Sequence, residues 1–256
     1  MKYTRDQILE LYREQAQKHG DGGTSTIQDI RVRALELEAL SAHLRDGTKV
    51  LEIGCGNGYV AEQLVRQFNI DLFAFDFSPD MIEIAKARKI VGAKGRLRYA
   101  VGDVLELAEA GVYDTILSER CIQNLVSWDD QKIGLANIVC ALKKGGEYIM
   151  LESFWTGLNN LNEARRELDL GDIPESWHNL FFNEAATIEH MKSLGCAYVD
   201  QNAFLSGYYF GSRVLLPALM PKGKKVTSNS RLNDYFSALP PAGDFCPMKI
   251  VRFRKD

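Results

Sequence analysis

Apolar residues along the chain switch repeatedly between helical spacing and short continuous runs. From Ser25 to about Arg45, Ile27, Ile30, Val32, Leu35, Leu37, Leu40 and Leu44 recur at helical spacing and predict an amphipathic helix. Lys49 to Ile53 is a short apolar run, predicted as a strand, that leads into Gly54-Cys55-Gly56-Asn57-Gly58, with a helix expected from about Tyr59 to Phe68. Asp71 to Asp76 reads as a second strand, followed by a helix opened by Ser78-Pro79, since proline suits a first helical turn. Further strands are expected at 96–101, 113–118 and 147–153. A helix near 129–142 should stop at Lys143-Lys144-Gly145-Gly146.

After Ser153 the beat weakens, then resumes with a helix near 183–194 and a strand near 197–204. A helix around 211–220 and a last strand at about 247–254 complete the pattern. Strands alternating with helices predict an α/β, doubly wound, mostly parallel sheet of seven strands, with helices on both faces. Its ligand belongs beyond the carboxyl ends of the strands. Three segments follow: a polar, flexible or helical N-terminal part, 1–25, with a mobile joint at Gly20-Asp21-Gly22-Gly23-Thr24; a core, 26–153; and a remainder of the core sheet, 154–256. Insertions at about 154–182 and 205–245 in that remainder are expected to pack together as a cap, as long segments outside a core often form binding lids.

Composition narrows the classes. The 256 residues fit one domain with a cap, and 46% hydrophobic with 25% charged residues is ordinary for a globular enzyme. A net charge of -3 offers no electrostatic drive toward nucleic acid, so no nucleic-acid partner is expected. The N-terminus lacks an apolar leader and no stretch reaches the roughly 18 apolar residues of a membrane span, so a cytoplasmic protein without a membrane partner is expected. Cys55, Cys121, Cys140, Cys196 and Cys246 are scattered without a CxxC pair, which suggests reduced thiols and no metal site. Oligomeric state is not legible.

The glycine cluster carries the strongest chemical signal. Glycines at a strand-to-helix turn let the backbone pass close to a ligand, and the helix N-terminus favours a negative group. A dinucleotide fingerprint needs a third glycine where this chain has Tyr59. The pattern here is GxGxG preceded by Glu52. Asp76 ends the second strand, 22 positions after Gly54, where a carboxylate can accept ribose hydroxyls. Gly102-Asp103-Val104 follows the third strand, where Asp103 can alternatively be a helix N-cap.

Over roughly residues 26–153 these motifs resemble the class I S-adenosylmethionine-dependent methyltransferases, with Val50 to Gly58 as their motif I. The resemblance implies a Rossmann-like fold and S-adenosylmethionine as cofactor. It implies a cofactor site of Glu52, Gly54, Cys55, Gly56, Asn57, Gly58, Asp76, Phe77, Met81, Gly102, Asp103, Val104, Ser118 and Glu119. Glu52 would lie near the methionine amino group, Phe77 and Met81 beside the adenine, and Asp103 at the adenine amino group. On the helix before motif I, Arg33 or Arg31 is the candidate for the methionine carboxylate, a solvated helix-face arginine being the alternative.

The acceptor is less defined. Ser118-Glu119-Arg120-Cys121 replaces the Asn/Asp-Pro-Pro-Tyr/Phe motif of methyltransferases that act on DNA bases or protein amides. Glu119 can act as base or orient an acceptor and Arg120 can hold a carboxylate or phosphate, unless the two form a salt bridge that pins the loop. His178, in Trp177-His178-Asn179, is the candidate general base for a hydroxyl, or else a structurally bonded histidine. Trp155, Asn159, Asn160, Asn162, Tyr208 and Tyr209 are candidate pocket residues. With Glu152-Ser153-Phe154, these stretches resemble bacterial small-molecule methyltransferases, some of which occur with polysaccharide and antibiotic assembly. The expectation is methylation of a hydroxyl on a small polar acceptor that is carbohydrate-like, phosphorylated or a natural-product intermediate. Alternatives are N- or C-methylation, an NAD-dependent enzyme, which the lack of a Tyr-x-x-x-Lys pair disfavours, or a methyltransferase-like subunit without turnover.

Overall fold

The apolar runs form one sheet of seven strands in a computed structural model that describes residues 3–23, 25, 27–221 and 230–256. These are β1 (Lys49–Ile53), β2 (Asp71–Asp76), β3 (Arg96–Val101), β4 (Tyr113–Glu119), β5 (Leu142–Ser153), β6 (Cys196–Asn202) and β7 (Met248–Lys255), in the order β3-β2-β1-β4-β5-β7-β6. Strands β1 to β5 pair in parallel, while β7 runs antiparallel to both β5 and β6. The central strands read as continuous apolar runs because helices cover both faces. Leu51, Ile53, Ile116, Leu117, Ile149 and Leu151 are fully buried, each worth about 1.5–3 kcal/mol of apolar transfer.

The helices are α1 (Arg5–His19), α2 (Ile30–Ser41), α3 (Tyr59–Gln67), α4 (Pro79–Ala87), α5 (Trp128–Ala141), α6 (Trp155–Arg166), α7 (Glu184–Ser193), α8 (Ser206–Phe210), α9 (Leu216–Leu219) and α10 (Arg231–Ser237). A π-helical turn, Gly211–Leu215, joins α8 to α9. From β1 the chain winds outward through β2 to β3, then returns to β4 on the other side of β1. That reversal leaves a crevice beyond the carboxyl ends of β1 and β4, the place where open α/β sheets bind ligands.

Several boundaries differ from the sequence pattern for local reasons. The helix expected from Ser25 begins only at Ile30, because the Asp29 carboxylate caps it by accepting from the Arg31 and Val32 amides. It ends at Ser41 rather than near Arg45. The segment after Ser153 contains a regular helix, α6, within the stretch where the pattern weakens. It meets the later insertion directly: Asn160 donates to the Asp244 carbonyl at 2.9 Å, and the Arg165 guanidinium donates to the Arg213 carbonyl. The basic run Lys222-Gly223-Lys224-Lys225 lies outside the described residues.

The N-terminal segment is helical over Arg5–His19. Thr4 and Gln7 form a reciprocal capping box at the start of α1. The glycine-rich joint meets the glycine turn, where the Asn57 side-chain amide donates to the carbonyls of Gly20 (2.9 Å) and Gly22 (3.0 Å). Arg88 donates both to the Asn57 carbonyl and to that of Asp21. The carbonyls of this glycine-rich joint are held because side-chain donors reach them. Among the described residues, no helix is long and apolar enough to cross a membrane.

Candidate functional site

A cavity of about 420 Å³ opens beyond the carboxyl ends of β1, β2, β4 and β5. Its first wall is the glycine turn. Gly54, Gly56 and Gly58 all hold positive φ, at +74°, +52° and +77°. At Gly54 a Cβ would overlap the Cys121 side chain, and at Gly58 it would overlap the Tyr99 hydroxyl. At Gly56 it would meet nothing within 4 Å. Two of the glycines thus serve the protein's own packing, and Gly56 leaves space open at the cavity wall.

Acidic residues at the strand ends complete that half. Glu52 is buried and lines the cavity, with Oε2 free of any hydrogen bond. Burial pushes its carboxyl up to about 8, helped by the charge of Glu119. Asp76 accepts from the amides of Gly56 and Ser78, each at 2.8 Å, and so braces the turn while lining the cavity. Asp103 also has two tasks. It caps the following 3₁₀ turn (Val104–Glu106) through the Leu105 amide, at 2.9 Å, and it pairs with Arg5. The Arg5 guanidinium lies 4.7 Å from the centre of the Phe77 ring. Cys55, Asn57, Phe77, Gly102 and Val104 line the same cavity.

Three expected cofactor residues do not line the cavity, the first being Gly58, whose Cβ position faces the Tyr99 ring and hydroxyl. Met81 is completely buried and does not line the cavity, because Phe77 lies before the Ser78 cap and shares no helical face with it. Ser118 is fully buried too; its hydroxyl donates to Glu152 (2.7 Å) and lies 2.7 Å from the Tyr148 hydroxyl. Of the two arginines on α2, Arg33 lines the cavity, whereas Arg31 pairs with Asp234 on α10. Arg33 is ion-paired with Glu119 and lies 3.7 Å from Glu36.

The other half of the cavity collects Arg120, Asn124, His178, Asn179, Phe181 and Tyr209. Arg120 and Glu119 do not pair with each other; Arg120 approaches Glu36 at 3.7 Å. His178 lines the cavity, and its backbone carbonyl accepts from the Asn124 side chain at 3.1 Å. Trp155, Asn159, Asn160, Asn162 and Tyr208 do not line the cavity. Asn162 instead binds both backbone groups of Ile173, and the Tyr208 hydroxyl donates to Asp29 at 2.7 Å.

Sequence reasoning overlooked Arg5 and three further contributors, and it named Glu152 without giving it a task in the site. Tyr12, from α1, lines the cavity and donates to Asn124 Oδ1 at 2.7 Å, while Tyr3 donates to the Gln123 and Leu125 carbonyls. Glu36 is fully buried between Arg33 and Arg120, and burial raises its carboxyl to about 8. Glu152, also fully buried, accepts from the amides of Cys121, Ile122 and Gln123 and from Ser118. Burial raises it to about 7 against those hydrogen bonds. Glu36 alone had a local signal, an acid among the apolar positions of an amphipathic helix.

These three carboxyls give a testable pH dependence. A carboxyl raised in the folded state binds its proton more tightly there than in the unfolded chain. Its stabilising effect is therefore full below the unfolded value and is lost as pH rises through the folded one, about 7 for Glu152 and about 8 for Glu36 and Glu52. Thermal denaturation at constant ionic strength should show stability falling from pH 5.5 to 8.5, by up to about 1.4 kcal/mol per pH unit for each group. Glu36→Gln should flatten the slope; stability that rises over this window would contradict the assignment.

The cavity fits S-adenosylmethionine: an open glycine position, buried acids at the strand ends and an exposed ring at Phe77 all face one space. Among the described residues, no group of three or more His, Cys, Asp or Glu side chains could hold a metal ion.

Comparison with known proteins agrees. Residues 50–146 match a family model described as a methyltransferase domain. A malonyl-[acyl-carrier protein] O-methyltransferase from Bacillus cytotoxicus is 35% identical over 47% of this chain and 40% of its own length. Malonyl-[acyl-carrier protein] O-methyltransferase 1 from Ilyobacter polytropus is 31% identical over 72% of this chain and 65% of its own. The chain thus spans less than two thirds of the length of these curated relatives. The fold matches the magnesium protoporphyrin IX methyltransferase from Synechocystis PCC 6803 with bound SAH, at TM-score 0.62, 13% identity and 98% coverage of both chains. With their motifs, sheet order and cavity, residues 50–146 form a methyltransferase domain of the S-adenosylmethionine-dependent kind.

Proposed function

We propose that the protein transfers a methyl group from S-adenosylmethionine to an oxygen of a small polar acceptor. The observation that carries this reading is one continuous cavity: strand-end acids and the glycine turn line one half, Arg120, Asn124, Asn179 and His178 the other. In this reading Glu52 and Arg33 hold the methionine end, Asp76 the ribose, and Phe77, Asp103 and Val104 the adenine. Bound there, S-adenosylmethionine supplies an electrophilic methyl group on a positively charged sulfur. The chain's own task is then alignment, since displacement at a sulfonium needs little acid–base help until the acceptor is a hydroxyl. His178 is proposed to take that proton, the carbonyl bond from Asn124 fixing its backbone beside the cavity. The curated relatives named above are O-methyltransferases, which favours oxygen over nitrogen or carbon.

The test is parallel calorimetric titration with S-adenosylmethionine, S-adenosylhomocysteine and NAD, followed by a screen of hydroxylated acceptors for S-adenosylhomocysteine release. Binding of both adenosyl ligands and not of NAD is expected; NAD binding alone would sink the reading. With an acceptor in hand, His178→Ala should reduce turnover by about 10²–10⁴-fold while leaving cofactor affinity intact. Unchanged turnover would return His178 to a packing role.

A further inference from the structure

The geometry points to an anion subsite in the acceptor half of the cavity, built from Arg120 and Tyr209, that selects a hydroxylated acceptor bearing a carboxylate. This inference rests on the proposed function and narrows its substrate class.

Arg120 stands at the carboxyl end of β4 with φ +52°, in a region that residues with a side chain rarely adopt. Its amide donates to the Leu151 carbonyl at 2.8 Å, so the conformation is pinned by the neighbouring strand. Strained backbone held in this way often marks a functional site. The side chain lines the cavity and is only 19% exposed. Among the described residues its guanidinium makes no hydrogen bond, the nearest acid being Glu36 at 3.7 Å. A guanidinium carries five donors in a planar fork, and leaving them idle in a mostly enclosed space is costly.

Tyr209 faces the same cavity, and its hydroxyl likewise has no hydrogen-bond partner among the described residues. The π-helical turn that follows α8 begins directly after Phe210, and Arg213 in that turn stacks 4.7 Å from the centre of the Tyr209 ring. Burial raises the Tyr209 phenol, so it is a donor at neutral pH, and the charge of Arg120 acts on it in the opposite sense. Two donors from separate parts of the chain, one cationic and one neutral, thus look into one space without an acceptor.

Charge selects carboxylate over phosphate. Arg33 is neutralised by Glu119. Glu36 faces Arg33, Arg120, Glu119 and Tyr209, and burial pushes its carboxyl up to about 8 against the pull of the two arginines. Arg120 meets Glu36 only at 3.7 Å, and that acid is shared with Arg33 at the same distance, which leaves part of the positive charge of Arg120 for a ligand. A monoanion balances it, whereas a phosphate dianion would leave excess negative charge in a partly desolvated cavity beside Glu119. A planar carboxylate also matches the guanidinium fork.

Glycerate, glycerol and glycerol 3-phosphate form a matched probe set, small enough to enter the cavity and differing in the handle. Ligand-observed NMR titration of each, into protein saturated with S-adenosylhomocysteine, reads the preference directly. Glycerate should bind, glycerol should bind at least about tenfold more weakly, and Arg120→Gln should weaken glycerate by about tenfold or more. Tyr209→Phe should weaken it by a smaller factor, and both variants should keep the affinity for S-adenosylhomocysteine. Equal binding of glycerol, glycerate affinity unchanged in Arg120→Gln, or no binding of any probe to the unaltered protein would overturn the subsite. Tighter binding of glycerol 3-phosphate would overturn the choice of carboxylate. Failure of S-adenosylhomocysteine to bind would instead overturn the methyltransferase reading, and the probe comparison would then be judged without it.

Discussion

Glu152→Ala should lower the unfolding free energy by about 3–5 kcal/mol, the loss associated with stranding buried partners of a charged group. Glu152 ends β5 with no exposed surface. One oxygen accepts from the Cys121 amide (3.2 Å), the Ile122 amide (3.0 Å) and the Ser118 hydroxyl (2.7 Å), and the other from the Gln123 amide (3.2 Å). The three amides belong to the turn that carries Cys121, Gln123 and Asn124 into the cavity wall, and the hydroxyl to β4. Alanine leaves three amides and a hydroxyl buried beside an empty volume. Glu152→Gln keeps the volume and one good acceptor but sets an NH₂ group against donors, so a smaller loss of about 1–3 kcal/mol is expected. Urea unfolding at pH 7 measures both. A loss below about 1 kcal/mol for the alanine variant would show that the turn re-forms without the carboxylate. Because the turn shapes the cavity, affinity for S-adenosylhomocysteine should fall in both variants as well.

Gly56→Val should abolish detectable cofactor binding, a loss of more than about 100-fold, while the protein still folds. Gly56 has φ +52°, and its missing Cβ faces open space at the cavity wall, so valine would project into the volume proposed for the ligand. A β-branched residue in that region costs on the order of 1–3 kcal/mol of stability. Strain and lost ligand space are separable. Gly92 has φ +76° with open space around it and is not part of the cavity wall. Gly92→Val should therefore cost comparable stability without changing cofactor affinity. Retained binding in Gly56→Val would remove the glycine turn from the cofactor site, whatever the stability change.

Much of the architecture was legible from the chain alone. Strand runs such as Lys49–Ile53 and Asp71–Asp76, and the Ser78-Pro79 helix start, depend on local periodicity and capping, and the folded protein keeps them where the pattern places them. The glycine turn was equally visible, because positive φ at Gly54, Gly56 and Gly58 is a backbone requirement that only a short list of residues satisfies. Cavity-lining positions that end or directly follow predicted strands, such as Asp76, Asp103 and Glu119, followed from chain order.

Tertiary structure decided what local pattern cannot encode. Met81 and Ser118 sit beside the motifs in sequence, yet helix start and strand alternation turn them into the core. Tyr12 and Arg5 reach the cavity from a helix far away along the chain, and Glu36 and Arg120 meet only because α2 packs against the end of β4. Whether a carboxylate is a brace, a ligand contact or a buried acid depends on which amides and guanidiniums arrive around it. Those partners come from distant segments, so the sequence determined the sheet and its ligand crevice, and long-range packing determined the charge and hydrogen-bonding capacity of the site within it.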